Sequence, residues 1–600
     1  MKLGLILKLL TGKEKSRLAI IFIAQLITGF IELVGIGSIG PFISLISNQQ
    51  MIHQNQYLNL VYTRFNFTSD RDFIILFGIL VIACIVVSNL VIAVVTTVNV
   101  YYSEKKRYSI TMRLFEQYLR QPYIFFLDHN SAMLMRNLDN VNRFISDILT
   151  NILNLVSCSI ISLFIIGLLI FLNPLLALIV SAVLGVMYSA IFGALRNFLN
   201  KRGKEQQHYL FLRFKYMTEA FGGIKDIKIL KKERVFLERL RFPLLKYARN
   251  DANKMAVNEL PRFLIESTAI GGMVLVILVM IISGSKIEQF LPILTIYAFG
   301  AYRLLPLLQR IFRASTTIKY SFPVVETLYN DLATLPAGGK LLYDKEIAAL
   351  PFNSEIRLKD ISFSYPNARR FIINNINLAI KHNTSIAFVG PTGCGKTTLV
   401  DIILRLLIPQ GGSLSIDGTI IDEGNSANWQ KNLGYVPQSI YLTEDSIKNN
   451  IAFGVPPEEI NMETVIRAAA LANIHDFISG ELEQGYESSV GERGVKLSGG
   501  QRQRIGIARA VYHNPSVLIF DEATSALDNL TENAVMDAIQ TMGHKKTIII
   551  IAHRITTVKN CDTIYLMENG AITDSGNFGE LYAKNAMFRK MADGNFRETE

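Results

Sequence analysis

The sequence predicts two unlike parts in one chain: an all-α, six-helix transmembrane domain followed by an α/β P-loop nucleotide-binding domain. Three observations predict it. Long apolar segments crowd about the first 320 residues of a 600-residue chain that is half hydrophobic, while the remainder alternates short strand-like runs with amphipathic helical ones. A glycine-rich loop, Gly390-Pro-Thr-Gly-Cys-Gly-Lys-Thr397, stands between a strand pattern and a helix pattern. The expected boundaries are 1–330 for the membrane part, 331–353 for a linker and 354–595 for the nucleotide part.

Six segments, about 18–46, 73–100, 149–172, 175–195, 263–283 and 287–311, are near or above the roughly 20 residues that a helix needs to cross the hydrocarbon core. Only Asn173-Pro174 separates the third from the fourth, which predicts a tight hairpin. Residues 1–17 carry Lys2, Lys8, Lys13, Lys15 and Arg17, the stretch 101–148 holds seven Lys or Arg, and 196–262 holds seventeen. The loops on the other side carry only Arg64, Arg71 and Lys286. That asymmetry predicts cytoplasmic termini and a cytoplasmic nucleotide domain.

The net charge of +11 follows from these basic loops and suits an anionic lipid surface, so no nucleic-acid partner is expected. The first apolar segment is longer than a signal-peptide core and is expected to be a membrane helix, not a cleaved leader. Cys84 and Cys158 fall in apolar segments, Cys394 in the glycine loop and Cys561 after a late strand, which fits neither a disulfide framework nor a metal site.

Five charges border or enter the apolar spans: Glu32, Arg262, Glu266, Arg303 and Arg310. Each costs about 2.5–3.5 kcal/mol at a helix centre, so they must face protein or water. Two readings stand. The carboxylates pair with arginines, or Arg262, Arg303 and Arg310 offer guanidinium forks to an anionic substrate. Arg303 and Arg310 are seven apart and share a helix face, with Pro306 between them as a kink position.

In the nucleotide part, a strand at Ser385–Val389 leads into the loop and a helix follows from Thr398, the context in which such a loop binds ATP with Mg²⁺. Gly390, Pro391, Thr392, Gly393, Cys394 and Gly395 wrap the phosphates, Lys396 reaches their outer oxygens, Thr397 is a Mg²⁺ ligand and Thr398 opens the helix. The apolar run Val517-Leu-Ile-Phe520 delivers Asp521 and Glu522 to the end of a buried strand, Asp521 for Mg²⁺ and Glu522 as general base for the attacking water.

With Leu497-Ser-Gly-Gly-Gln501 lying between that loop and the Asp-Glu strand, the sequence resembles the ATP-binding cassette (ABC) proteins. The resemblance implies that Tyr365 stacks on adenine, Gln438 touches the metal or the water, His553 contacts the γ-phosphate, and Ser525-Ala-Leu-Asp528 forms the D-loop. It also implies that Ser498, Gly499, Gly500 and Gln501 complete the ATP site of a second cassette. One cassette per chain then implies two chains: a homodimer, or a heterodimer with a separate half-transporter.

Val490-Gly-Glu-Arg-Gly494 resembles a segment of exporter-type members. Tyr123–Asp128 and Gly222–Lys228 resemble their coupling helices. Within that group, Glu32-Leu-Val-Gly-Ile-Gly-Ser-Ile-Gly-Pro41, Gln56–Tyr62, Pro122-Tyr-Ile-Phe-Phe-Leu127, Arg136-Asn-Leu138 and Gly222-Gly-Ile-Lys-Asp-Ile-Lys228 look most like the PglK-type bacterial flippases of lipid-linked oligosaccharides. The expectation is an ATP-driven, alternating-access flippase of a polyprenyl-pyrophosphate glycan in the bacterial inner membrane. An exporter of hydrophobic drugs or phospholipids is the alternative. The soluble cassette ATPases of DNA repair and translation do not fit six membrane spans.

Overall fold

The computed structural model describes residues 3–9, 11–47, 49–172, 174–282, 287–335, 347–366, 368, 370–522, 545–552 and 555–593. Asn173, Lys286, Ser525–Asp528, His553 and Arg554 lie outside the described residues. By compactness the chain divides into Met1–Gln121 with Phe125–Gly338, and Pro122–Ile124 with Gly339–Glu600.

The first unit is helical throughout: α1 (Leu3–Leu9), α2 (Gly12–Gly37), α3 (Ile39–Ser47), α4 (Met51–Gln54), α5 (Gln56–Arg64), α6 (Asp70–Leu119), α7 (Tyr123–Asp128), α8 (Ser131–Arg143), α9 (Thr150–Leu172), α10 (Pro174–Gly222), α11 (Ile224–Ile229), α12 (Glu233–Ile282) and α13 (Ile287–Thr334). Pro174 occupies the first position of α10, where its missing N–H has no intrahelical partner to lose. Among the described residues, four stretches are long and apolar enough to cross a membrane: Gly12–Ile46, Asp70–Leu119, Ser131–Phe171 and Ala177–Gly222. They cover nearly all of the first four predicted segments. The fifth and sixth fall in α12 and α13, and residues 283–286 between them lie outside the described residues.

Apolar side chains point outward along these helices. On α6, Ile75, Ile79, Ile82, Val86, Leu90 and Val94 are all exposed, which suits hydrocarbon and not water. Inside, α9 packs against α2 and α13, and α10 against α12 and α13. Gly203 of α10 is essential to that last crossing, because a Cβ there would lie 1.9 Å from the Tyr320 carbonyl oxygen.

Among the polar clusters within the bundle are those centred on Glu14 and on Asp147. Lys106 Nζ donates to Glu14 Oε1 at 2.9 Å, and the same carboxylate accepts from Ser109 Oγ at 3.3 Å. Between α8 and α9, Phe144–Leu149 forms a π-helical turn. The turn carries Asp147, whose Oδ2 accepts from Lys254 Nζ (3.0 Å) and Ser321 Oγ (2.7 Å). The extra residue of a π turn re-aims one side chain, here toward α12 and α13.

The second unit holds two sheets. An antiparallel one has the order β2 (Ile373–Lys381), β1 (Glu355–Phe363), β4 (Gly411–Ile416), β5 (Thr419–Ile420). The other runs β10 (Ala571–Gly576), β9 (Thr563–Glu568), β3 (Ser385–Val389), β8 (Thr547–Ile551), β7 (Val517–Asp521), β6 (Leu433–Val436), parallel except for the β9–β10 pair. Every residue of β7 and β8 is buried, as helices on both faces of a parallel sheet require. Alternate side chains serve opposite faces: Leu518, Phe520, Ile548 and Ile550 enter one core, and Val517, Ile519, Ile549 and Ile551 the other. Around the sheets lie α14 (Lys396–Ile403), α15 (Ser426–Gln430), α16 (Ile447–Ile451), α17 (Met462–Leu471), α18 (His475–Gly480) and α19 (Gly499–Tyr512).

Candidate nucleotide site

Parallel register gathers the site at one edge of the large sheet. Phe388 on β3 and Asp521 on β7 both pair with Ile551 on β8, and Phe520 pairs with Val436 on β6. The loop after β3, Gln438 after β6 and the carboxylates ending β7 therefore leave the sheet on the same side. This is the carboxyl edge at which open α/β sheets bind ligands. His553 follows β8 in sequence and lies outside the described residues.

The loop from Gly390 to Gly395 needs its glycines for distinct reasons. Gly390, Gly393 and Gly395 have φ of +154°, +77° and +105°. A Cβ on Gly390 would lie 2.2 Å from the Met567 carbonyl oxygen and one on Gly395 2.8 Å from Ile373 Cδ1, whereas one on Gly393 would point into open space. The loop is thus wedged against β9 and β2 and open at Gly393, the shape of an anion cradle at the start of α14. Buried Lys396 holds it from within, its Nζ donating to the carbonyls of Gly390 (2.7 Å) and Pro391 (3.0 Å). Thr392 and Thr397 are exposed and Thr398 is buried, its Oγ1 lying 3.2 Å from Tyr365 Oη. Tyr365 rests edge-on against Phe363 (5.2 Å, 85°), so its ring is fixed beside the loop.

At the end of β7, Glu522 takes φ of +50°, a left-handed value rare for a residue other than glycine. Its N–H still donates to Ile551 O (3.0 Å), so the ladder persists while the side chain is turned out of the sheet. Gln438 Nε2 donates to Glu522 Oε2 at 2.7 Å, which joins two of the residues read from sequence as catalytic. Asp521 is buried, and Tyr435 Oη lies 3.4 Å from its Oδ2. Asp401 on α14 feels the same charge: burial, and then Asp521, pushes its carboxyl up to about 6. Thr397, Gln438 and Asp521 supply the hydroxyl, amide and carboxylate oxygens that a hard cation such as Mg²⁺ takes, and the donor set fits.

The Leu497–Gln501 segment opens α19. Ser498 Oγ accepts from Gln501 N (3.2 Å), and Gln501 Oε1 accepts from Ser498 N (2.7 Å), a reciprocal cap at an exposed helix start. Gly499 and Gly500 follow without side chains, so the first turn presents N–H groups to an outside anion.

Sequence reasoning overlooked Tyr435, Asp401, Asn450 and Arg509. A signal existed for the last: Arg502, Gly506 and Arg509 are spaced i, i+4, i+7, one face of α19, and a basic residue on a glycine-containing packed face needs partners.

In the membrane unit, buried Glu32 pairs with Arg303 (Oε1 to Nη1, 3.5 Å), and Arg303 Nη2 also lies 3.5 Å from Asn89 Oδ1. Arg262 Nε donates to Glu266 Oε1 at 2.9 Å, and Gln309 Nε2 reaches the same oxygen at 3.3 Å. Arg310 is exposed. Carboxylate pairing thus engages Arg262 and Arg303, whose side chains are exposed and partly exposed respectively.

Cys394 offers a chemical probe of the loop. Burial raises its thiol above the usual range, only partly offset by Lys396 Nζ at 3.9 Å, and Cys561 is pushed up to about 12 by burial. Only thiolates react, so inactivation of ATPase by N-ethylmaleimide should be slow at neutral pH and accelerate as pH rises. Cys394→Ser should abolish it, and ATP should protect. A rate independent of pH, or one untouched by Cys394→Ser, would show that the loop thiol is not the group involved.

Comparison with known proteins agrees with this arrangement. The family described as "ABC transporter" matches residues 373–525, and "ABC transporter transmembrane region" matches residues 18–302. The chain is 30% identical over 488 residues to the ATP-dependent lipid A-core flippase of Cupriavidus metallidurans, covering 80% of each. It is 41% identical over 237 residues to the uncharacterized ABC transporter ATP-binding protein y4gM of Sinorhizobium fredii, a match spanning 40% of each protein. A solved bacterial Atm1-family ABC exporter with ATP bound shares the fold, with a TM-score of 0.72 at 21% identity over 98% of this chain and 99% of that one.

Proposed function

The chain belongs to the ABC transporters, as an exporter half-transporter with a helical membrane domain and an ATP-hydrolysing α/β domain, and from that premise we propose that two copies form an ATP-driven flippase. Its cargo is an anionic lipid-linked oligosaccharide, a polyprenyl-pyrophosphate glycan, and its place the bacterial inner membrane with the ATPase domains in the cytoplasm.

One observation carries the cargo: arginines 262, 303 and 310 lie on two helices that the sequence reads as apolar spans, with Arg262 and Arg310 exposed and Arg303 partly so. A planar fork already held by one carboxylate can exchange that partner for pyrophosphate oxygens, which carry more charge. The lipid A-core flippase similarity over most of the chain supports a lipid cargo.

The chain's own residues divide the chemistry of hydrolysis. The loop amides and Lys396 bind and orient the ATP phosphates, and Tyr365 stacks on the adenine. Thr397, Gln438 and Asp521 would hold Mg²⁺, which would supply neutralisation of phosphate charge. Glu522, oriented by Gln438, takes the proton of the attacking water. Ser498 and the first turn of α19 close over the ATP of the partner chain. The coupling helices, with α7 and α11 in that role, pass closure of the two cassettes to the membrane helices, which alternate between inward and outward access.

The test is ATP-dependent translocation of a polyprenyl-pyrophosphate oligosaccharide in proteoliposomes, with Glu522→Gln as the blank. Arg303→Ala and Arg262→Ala should each lower lipid-stimulated ATPase and flipping while basal ATPase persists. Unchanged flipping in both would remove the arginines from substrate binding. Robust ATPase without movement, stimulated instead by neutral amphiphiles, would point to the alternative cargo of drugs or phospholipids.

A further inference from the structure

A second network in the nucleotide unit lies away from the phosphate loop. Asn450, the fourth residue of α16, is fully buried. Its Nδ2 donates to the carbonyls of Thr443 (3.0 Å) and Ser446 (3.1 Å), and its Oδ1 accepts from Thr443 N (3.0 Å) and Oγ1 (3.2 Å). From α19, Arg509 adds three donors: Nε to Asn450 O (2.8 Å), Nη2 to Asn450 Oδ1 (3.2 Å) and Nη1 to Tyr441 O (2.9 Å). Its guanidinium plane also covers the Phe453 ring at 4.6 Å. Two side chains thereby satisfy five polar backbone groups of this loop, at Tyr441, Thr443, Ser446 and Asn450.

Packing reinforces the bond. A Cβ on Gly506 would lie 2.5 Å from Ile440 Cδ1, and one on Gly494 2.8 Å from Leu442 Cδ1, so the loop packs directly on α19 and on the turn that precedes it. Arg502 Nη1 donates to Leu497 O (3.2 Å), which fixes the chain entering Ser498. One end of this assembly is Gln438, bonded to Glu522. The other is Ser498, eleven residues up the helix from Arg509, about 16 Å along a rigid rod.

We propose that Arg509, seated on Asn450, is a positioning residue for ATP hydrolysis: it makes the segment 438–450 and helix α19 one rigid body, so that Gln438 in one ATP site and Ser498 offered to the other shift together. The inference rests on the ATPase reading above. Burial draws the Arg509 guanidinium down to about 10, so it stays charged at neutral pH and keeps its full set of donors. Lysine, a point charge on a flexible stem, cannot reproduce a three-pronged planar contact.

The experiment is a double-mutant cycle on the full-length chain reconstituted in nanodiscs. Arg509→Lys should lower kcat about 10- to 100-fold with the KM for ATP unchanged, as a misplaced catalytic group does. In a Gln438→Ala background, Arg509→Lys should cost clearly less than it does alone, because one of the two groups it positions is already gone. A merely structural role would multiply the two losses instead, and that result overturns the proposal, as does an unchanged kcat in the single variant. If Arg509→Lys fails to fold, Thr443→Val removes only one hydrogen bond on Asn450 and is read through the same cycle. Wild-type ATPase separates the two inferences. A wild-type chain without ATPase overturns both readings, whereas an active wild type with multiplicative losses overturns only the positioning role.

Discussion

Glu522→Gln should leave ATP bound while lowering turnover by roughly 10²- to 10⁴-fold. The substitution preserves the geometry. A glutamine at position 522 still offers an oxygen to Gln438 Nε2, now 2.7 Å from the carboxylate, and the left-handed backbone at +50° is unaffected by the side-chain head group. What disappears is basicity alone, since an amide cannot take a proton from water at neutral pH. ATPase rates and binding of a fluorescent ATP analogue, measured on the same reconstituted sample, separate the two effects. Near-wild-type turnover with intact binding would take the general-base role away from Glu522. Loss of binding would mean that the carboxylate also shapes the pocket.

A comparably large effect, on stability, is expected at Lys106. Lys106 and Glu14 are 3% and 6% exposed, and their ion pair spans 92 residues of sequence to join the start of α2 to the second half of α6. Tyr102 Oη donates to the Glu14 carbonyl at 3.1 Å, and the Lys106 ammonium lies over the Tyr102 ring at 5.2 Å, so the cluster is closed. Lys106→Met leaves a buried carboxylate without its counter-ion and should cost roughly 3–5 kcal/mol. Adding Glu14→Gln removes the stranded charge and should recover most of the loss. Thermal unfolding of the full chain in detergent measures both. A neutral Lys106→Met would mean that water reaches Glu14 and the pair is not desolvated.

The nucleotide site was largely legible in the sequence because its chemistry is local. A glycine loop needs its strand before it and its helix after it, within about a dozen residues. Lys396, Asp521 and Glu522 announce themselves by neighbours in the chain. Arg509 does not, because its carbonyl partners are 59 and 68 residues away, nor does Asn450, which bonds the nearby carbonyls of Thr443 and Ser446, since a carbonyl has no sequence identity. The same holds for Asp147. A π turn is invisible to a 3.6-residue period, and the lysine it meets is 107 residues distant.

The membrane unit divides similarly. Hydropathy locates the first four spans, because a bilayer imposes length and apolarity on each helix separately. Which charge answers which cannot be read that way. Glu32 and Arg303 are 271 residues apart in number and meet only because α2 and α13 lie in one bundle, with α9 packed against both. By itself, the sequence determined the two-part architecture and the first four spans, and it nominated the residues proposed to face ATP, since each depends on periodicity or spacing within one element. Tertiary structure alone decided the pairing of Glu32 with Arg303 and Glu14 with Lys106, the turning of Glu522 toward Gln438, and the seating of Arg509 on Asn450. Burial leaves a charge or amide no solvent to fall back on, so its partner is whatever the packing of distant elements brings within hydrogen-bond reach.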